Sequence, residues 1–483
     1  ERSAEAVAAM LGCSRAGWTW LSLDPSYPAE RLAFMARDAG CRVILHRGDI
    51  DDQLLPDGGQ PIDLRAMPPG EARRAAPSRP RASIPFLFYT SGSTGRPKGV
   101  YGSSEGILNR FAWMWKVFPL EADERFCLKT SLNFMDCLWE SFGALLQGLP
   151  SIVISKSDMD DLPAFVASLA EHRVTRLVLV PSLLEAMLDI VADLGDRLPA
   201  MRLVTTSGEA LDPGLARRFR AACPRIRLLN LYGASEVSAD VAWHEVTAEN
   251  QPKADEGMPI GQPITHCGLH VLDAWQGDLP AGLQGQIAVS GPHVGAGYHD
   301  RPTETASRFI ERAGRRLFLT GDYGRIDQAG QLEYHGRRDD QVKIRGIRVE
   351  LGELKSVLQG HEAVAQAEVL AATGPDGLPQ LAAFIIAAPF GQEIDQQALR
   401  QWLAQKVPAA WLPSRMLFLD RFPLTPSGKL DRQGLLALTA ALAPDDRPAA
   451  DVRPRTTSEC RLATIWADLL KQPRIGIHDN FFH

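Results

Sequence analysis

The sequence predicts an α/β fold: a large N-terminal domain of parallel-sheet layers, a small α+β C-terminal domain, and the first part of an all-α module. Three observations carry this. Short apolar runs alternate with helical patterns through the first half of the chain, the order that lays helices on the faces of a parallel sheet. After Pro252 the texture turns Gly-rich and β-like (GLHVLD, GQIAVSG, RLFLTGDYGRI), which predicts a small barrel-like subdomain. At 483 residues the chain exceeds one hydrophobic core, so roughly two to four units are expected.

Taken in order, residues 1–11 form an Ala-rich helical pattern whose start lies outside the sequence, and 18–23 a strand ending at Asp24-Pro25. A helix follows SYPAER to Ala39, then a strand over 41–46. Residues 57–81 are rich in Gly, Pro, Arg and Ala without period, a solvated connector. Residues 84–89 read as a buried strand that ends abruptly in a loop. From 106 to 155 the pattern gives a helix, a loop over 133–140, then a helix and a strand. Strands over 174–180, 203–206 and 226–231 follow. The first opens into a helix at Pro181-Ser182; the others end in the polar loops SGEAL and YGASE. Ligands of α/β sheets bind at the carboxyl ends of strands, so these two loops and the one after residue 89 are expected to converge.

A second domain begins near Asp339 with strand QVKIRG, a helix over 351–360, strands over 365–372 and 380–387, a helix over 396–406 and the closing loop LTPSGKLDR. Residues 444–454 are a Pro/Ala/Asp linker. Thr456 and Glu459 then have capping-box spacing, ahead of Leu462, Ile465, Trp466, Leu469 and Leu470 on one helical face. The expected domains are therefore 1–338, 339–443, the linker, and 455–483, with both ends read as cut from something larger.

Composition narrows the function. Apolar content of 45%, charge of 23% and a net charge of −6 describe an ordinary globular protein without the basic surplus that nucleic acid or an anionic membrane would select. The seven cysteines are dispersed and lack a C-x-x-C pair, as expected of free thiols in a reducing cytoplasm. His244-Glu245 and His361-Glu362 lack the second His of a zincin, and no run reaches membrane-spanning length.

The stretch FLFYTSGSTGRPKGV concentrates the chemistry. Its hydroxyls Thr90, Ser91, Ser93 and Thr94, its glycines Gly92, Gly95 and Gly99, and the cations Arg96 and Lys98 lie within ten residues of one another. Glycines let backbone N–H groups approach an anion, hydroxyls add donors, and the cations suit a polyphosphate. Lys98 lies between Pro97 and Gly99, so this is not a Walker A loop.

This loop resembles the phosphate loop of the adenylate-forming superfamily. LSLDPSYPAERL, NLYGASE, GAGYHDRPTETASRF, FLTGDYGR, GRRDDQVKIRGIRVELGELKSVL and LTPSGKLDR stand with it in the order expected of a nonribosomal peptide synthetase adenylation domain. The resemblance implies activation of a carboxylate by ATP, then transfer to a thiol. It implies Lys429 as the catalytic lysine, bridging carboxylate and α-phosphate as a compact charge. Asp322 would take the ribose hydroxyls, with Arg337 as a second ribose or phosphate contact. Tyr232 would stack on adenine, although a buried Tyr is equally a core residue, and Gly208, Glu209, Ala210, Asn230, Gly233 and Ser235 would complete the nucleotide site. Glu236 would hold Mg²⁺, which takes few carboxylates and shares phosphate oxygens. Asp339 is the implied hinge between an adenylating pose and a thiolating one.

By position in the family motifs, the substrate pocket is Met135, Asp136, Trp139, Ser182, Thr205, Ser207, Leu231, Ala239 and Asp240, closed by Lys429. Enzymes for α-amino acids place an Asp at the first position; here it is Met135, with Asp136 one residue later. That pattern is similar to pockets for β-alanine, since a displaced carboxylate suits an ammonium one bond further from the carboxyl. A one-residue slip at 134–136 would restore the α-amino acid reading. The tail from Thr456 resembles the start of a peptidyl carrier domain, whose phosphopantetheine serine lies beyond His483. The implied partners are a small amino acid, the carrier domain in cis and neighbouring synthetase domains; a small activating partner protein stays open. Two other readings are a catalytically silent nucleotide-binding scaffold and an acyl-CoA ligase, the latter disfavoured by the carrier-like tail.

Overall fold

The computed structural model describes residues 1–48, 50, 54–56, 58–66, 85–92, 96–250, 252, 257–339, 341–344, 346–374, 379–388, 395–424, 430–441 and 456–470. They divide into two compact units, Glu1–Val357 with Arg400–Trp411, and Leu358–Leu399 with Leu412–His483. This division falls at 357/358, eighteen residues beyond the Asp339 position at which the motifs place the hinge.

In the first unit the strands Arg176–Leu179, Leu203–Thr206 and Arg227–Ala234 run parallel, as the α/β alternation predicts. Ala239–Glu245 folds back antiparallel on Arg227–Ala234, and the sheet then continues through Pro259–Pro263 and Leu332–Arg337 to Arg315–Ile326, Gly285–Ser290 and Gly268–Leu272. The barrel-like subdomain expected after Pro252 is therefore a continuation of the same ten-stranded sheet, and among the described residues no sheet closes into a barrel. Local texture forecasts strands, but closure depends on long-range pairing, and Ala242↔Pro263 ties this β region to the parallel layer instead.

Several boundaries also differ. The first helix, Ala4–Ala16, begins within the chain: the Ser3 hydroxyl accepts from the Ala6 N–H. The connector region holds a strand, Gln60–Asp63, paired parallel to Val43–His46. The loop expected over 133–140 holds only to Met135, where helix Asp136–Leu145 takes over. Tyr232, Gly233 and Ala234, expected in a loop, end the strand Arg227–Ala234.

The phosphate-loop stretch joins two paired strands. Phe86–Thr90 lies between Trp20–Leu21 and Lys98–Tyr101, with Thr90 opposite Lys98. Phe88 packs edge-on with both Trp20 and Phe86 in a core that also takes Trp113, Trp139, Met135, Leu231 and Ala239. Much of the expected substrate pocket thus grows out of the hydrophobic core, whose close packing holds its side chains in place.

In the second unit Val364–Thr373 and Pro379–Ala387 pair antiparallel, and Arg415–Phe418 adds a parallel strand. Helix Arg432–Ala441 buries Leu435 in a cluster with Leu370 and Phe384. The capping box forms as its spacing predicts: the Thr456 N–H donates to Glu459 and the Glu459 N–H to the Thr456 hydroxyl, ahead of helix Thr457–Leu470.

Candidate active site

Strand ends bring most of the expected residues together, and all the contacts below lie within the first unit. Ser93, Thr94, Gly95 and Lys429 lie outside the described residues. The strand Phe86–Thr90 delivers Thr90, Ser91 and Gly92 to one rim of the site. The Ser91 hydroxyl donates to the Arg348 carbonyl, and the Gly92 N–H donates to Glu353 at 2.8 Å. Glu353 is 1% exposed and is neutralised by Arg31 at 2.7 Å, whose guanidinium also lies 4.7 Å from the Trp411 ring. Lys98 is buried over the Tyr298 ring, and desolvation followed by Arg348 lowers its affinity for a proton.

Glu236, the expected metal ligand, is fully buried in a short turn at Ser235–Val237. Tyr298 donates to Oε1 at 2.9 Å, while Nη1 of Arg348 reaches Oε1 and Oε2 at 2.8 and 3.0 Å. Burial alone would raise the pKa of this carboxyl; Arg348 and Lys98 outweigh it and hold the group at about 2. Among the described residues no cluster of three or more His, Cys, Asp or Glu side chains is placed to cage a metal. A lone ionised carboxylate would suit a cation that brings phosphate ligands with it.

The acid expected at the ribose, Asp322, accepts from Arg337 at 2.7 Å and from the Tyr232 hydroxyl. Arg337 also donates to the Thr320 carbonyl and pairs with Asp339, which Arg308 holds from the other side. Tyr232, Asp322, Arg337 and Asp339 therefore form one continuous network. The Asn230 amide donates to the Pro259 carbonyl, which gives this side chain a role in joining strands. Glu209 accepts from both the N–H and the hydroxyl of Ser182, so an expected nucleotide residue and an expected pocket residue share one contact; Ala210 beside it is exposed. Gly208 and Gly346 meet closely: both have φ near the left-handed region, and a Cβ on Gly346 would lie 2.4 Å from a Val180 methyl. The hairpin Gln341–Ile344 and Ile347–Glu350 therefore faces the site.

The pocket residues form two groups. Asp136, the first residue of its helix, accepts from the Ser207 hydroxyl at 2.9 Å. Trp139, one turn on, packs against Phe111 and Phe126, while Met135 and Leu231 are buried in the same cluster. Thr205 is buried with its hydroxyl unpartnered among the described residues. Asp240 follows two residues with positive φ, Ser238 at 55° and Ala239 at 85°, a strained backbone of the kind found at functional sites. Gly233 allows it: a Cβ there would lie 2.0 Å from the Ala239 carbonyl oxygen. Burial raises the Asp240 pKa to about 6, opposed by Arg110 and reinforced by Asp136.

Sequence reasoning missed Arg110, Arg348, Tyr298 and Glu353. A signal for Arg110 was present, since a lone charge falls among Ile107, Phe111 and Met114 on the apolar face of its helix. Arg348 and Glu353 lie inside a quoted motif, but their partners are more than a hundred residues away.

The AMP-binding enzyme family model matches residues 1–299, and the AMP-binding enzyme C-terminal domain model matches 353–429. The chain is 39% identical over 499 residues to phosphinothricin tripeptide synthetase PhsB of Streptomyces viridochromogenes, covering 100% of this chain and 41% of that protein. It is 33% identical over 491 residues to tyrocidine synthase 1 of Brevibacillus parabrevis, with 100% and 44% covered. The chain thus spans less than half the length of either relative. Among solved structures, holo-PA1221, an NRPS protein containing adenylation and PCP domains, superimposes with a TM-score of 0.80 at 26% identity, covering 100% of this chain and 79% of that one. The chain belongs to the AMP-binding enzyme family, as an adenylation domain of the nonribosomal peptide synthetase kind.

Proposed function

We propose that this site activates a small β-amino acid, β-alanine above others, with ATP and then passes it to the phosphopantetheine thiol of a carrier domain. The observation that carries the substrate reading is the placement of Asp136. It sits at a helix start beside Ser207, while Met135 before it is packed in the core. That favours Asp136 as the ammonium anchor, one position beyond the α-amino acid pattern.

In the first step a carboxylate oxygen of the amino acid bonds to the α-phosphorus of ATP. The bond to the bridging oxygen breaks, and pyrophosphate leaves with the electron pair. Two anions meet, so the barrier is chiefly electrostatic. Lys98 and Lys429 supply positive charge, and Glu236 would hold Mg²⁺ arriving with the nucleotide, once Arg348 moves aside. Asp322, fixed by Arg337 and Tyr232, accepts from the ribose. In the second step the carrier thiol sulfur attacks the acyl carbonyl carbon, AMP leaves, and the thiol proton passes to solvent. Asp339 serves as the hinge between the two poses.

The match over the whole chain to a protein with adenylation and PCP domains supports a carrier and neighbouring synthetase domains as partners. Cysteines that form no disulfide among the described residues fit a cytoplasmic setting, and no described helix is long and apolar enough to cross a membrane. ATP–pyrophosphate exchange with β-alanine, 3-aminobutyrate, 2,3-diaminopropionate, alanine, glycine and aspartate tests the reading. Fastest exchange with β-alanine is expected. Preference for an α-amino acid would overturn the β-amino acid assignment, and no exchange with any acid would favour a silent scaffold.

A further inference from the structure

Arg110 occupies a position where its helix calls for an apolar side chain. Helix Ser104–Val117 buries Ile107, Phe111, Trp113 and Met114 on the face that also carries Arg110, and Arg110 is 2% exposed. A buried guanidinium is costly unless it is paired and hydrogen-bonded. Here Nε and Nη2 both donate to Oδ2 of Asp240, at 3.1 and 2.8 Å. The guanidinium carbon lies 4.9 Å from the Trp139 ring centroid and 5.4 Å from that of Trp113. Its remaining terminal nitrogen, Nη1, is buried and meets no acceptor among the described residues.

The two pocket carboxylates are therefore not equivalent. Asp240 faces a cation at hydrogen-bond distance, and Lys343 adds a weaker attraction. Asp136 accepts from the neutral hydroxyl of Ser207. Without Arg110 the pocket would present two anions; with it, the unpaired charge is a single one.

We propose that Arg110 is a specificity-determining residue: by neutralising Asp240 it leaves Asp136 as the one unpaired carboxylate of the two aspartates, so that an amino acid with a single ammonium is accepted and its two-ammonium analogue is disfavoured. The proposal rests on the reading of Asp136 as the ammonium anchor. Arg110 acts through Asp240, as a positioning residue for the charge of the pocket, and the stack on Trp139 fixes where that charge lies.

The test uses pyrophosphate exchange and compares kcat/KM for the wild type's best monoamino acid with that for 2,3-diaminopropionate. This compound is the two-ammonium analogue of both β-alanine and alanine. If the wild type prefers alanine, the β-amino acid assignment fails, while the ratio still tests Arg110. In Arg110→Met the ratio of monoamino to diamino substrate is expected to fall at least tenfold. In Arg110→Met/Asp240→Asn, which restores a one-anion pocket, the ratio should return toward the wild-type value. Loss of both activities by the same factor in the single variant, or no return in the double one, would overturn the proposal. Should Arg110→Met fail to fold, Asp240→Asn reads the charge in the opposite sense. Arg110 is then left as an unpaired cation near Asp136, KM for the monoamino acid should rise at least tenfold with kcat little changed, and an unchanged KM would overturn the proposal.

Discussion

A single nitrogen of Arg348 reaches both carboxylate oxygens of Glu236, at 2.8 and 3.0 Å, inside a site where Glu236 is fully buried. The guanidinium stands where a cation bound by Glu236 would stand, so Arg348 and a divalent ion would be alternatives at this carboxylate. Replacing Arg348 by Met leaves the buried Glu236 carboxylate with Lys98 and the Tyr298 hydroxyl but without its ion-pair partner, at a cost of up to about 3–5 kcal/mol. The variant should unfold at lower temperature than the wild type, and Mg²⁺ with ATP should raise its melting point more than that of the wild type. Equal ligand-induced shifts would show that the two cations do not compete.

The same carboxylate predicts an acid limb. Its pKa is lowered from 4.5 to about 2, so its contribution is fully present above pH 4.5 and is lost as pH falls through 2. At about 1.4 kcal/mol per pH unit the contribution is about 3 kcal/mol. Chemical denaturation of the wild type and of Glu236→Gln from pH 7 to 2 should show the stability difference shrinking between pH 4.5 and 2. A constant difference would contradict the assignment of charge.

Arg31 and Glu353 form a buried pair that also takes up the Gly92 N–H. Either Arg31→Met or Glu353→Gln should cost about 3–5 kcal/mol, and the double variant less than the sum. Additive losses in a double-mutant cycle would mean that the two side chains act independently.

Tyr232 and Arg337 share Asp322. Tyr232→Phe removes one donor and keeps the ring, so a loss of about 1–2 kcal/mol is expected, a five- to thirty-fold rise in the KM for ATP. Asp322→Asn should cost more, because it weakens both contacts. A Phe variant with unchanged KM would place the hydroxyl outside nucleotide binding.

Much of this was legible in the sequence because it is local. The strands around Leu203–Thr206, the Pro181 helix start and the Thr456–Glu459 box follow from spacing and capping chemistry alone. The motifs then supplied residues that the fold brings together, such as Tyr232 with Asp322 and Ser182 with Glu209. What escaped depends on distance along the chain. Ala242↔Pro263 turns an expected barrel into a sheet extension, and no local pattern encodes that pairing. Arg110 meets Asp240 across 130 residues, and Arg348 meets Glu236 across 112. The polar flank before Asp136 has the residues of a turn, which hides the helix start from a local reading, yet that start is what orients Asp136.

In the proposed binding mode Asp136 holds an ammonium one bond further from the carboxyl than in an α-amino acid. Calorimetric titration with β-alanyl and alanyl sulfamoyladenosine, inert mimics of the two acyl-adenylates, measures the preference that this placement would impose. The β-alanyl compound is expected to bind more tightly by tenfold or more, with that preference lost in Asp136→Asn. Tighter binding of the alanyl compound, or a preference that survives in Asp136→Asn, would contradict it.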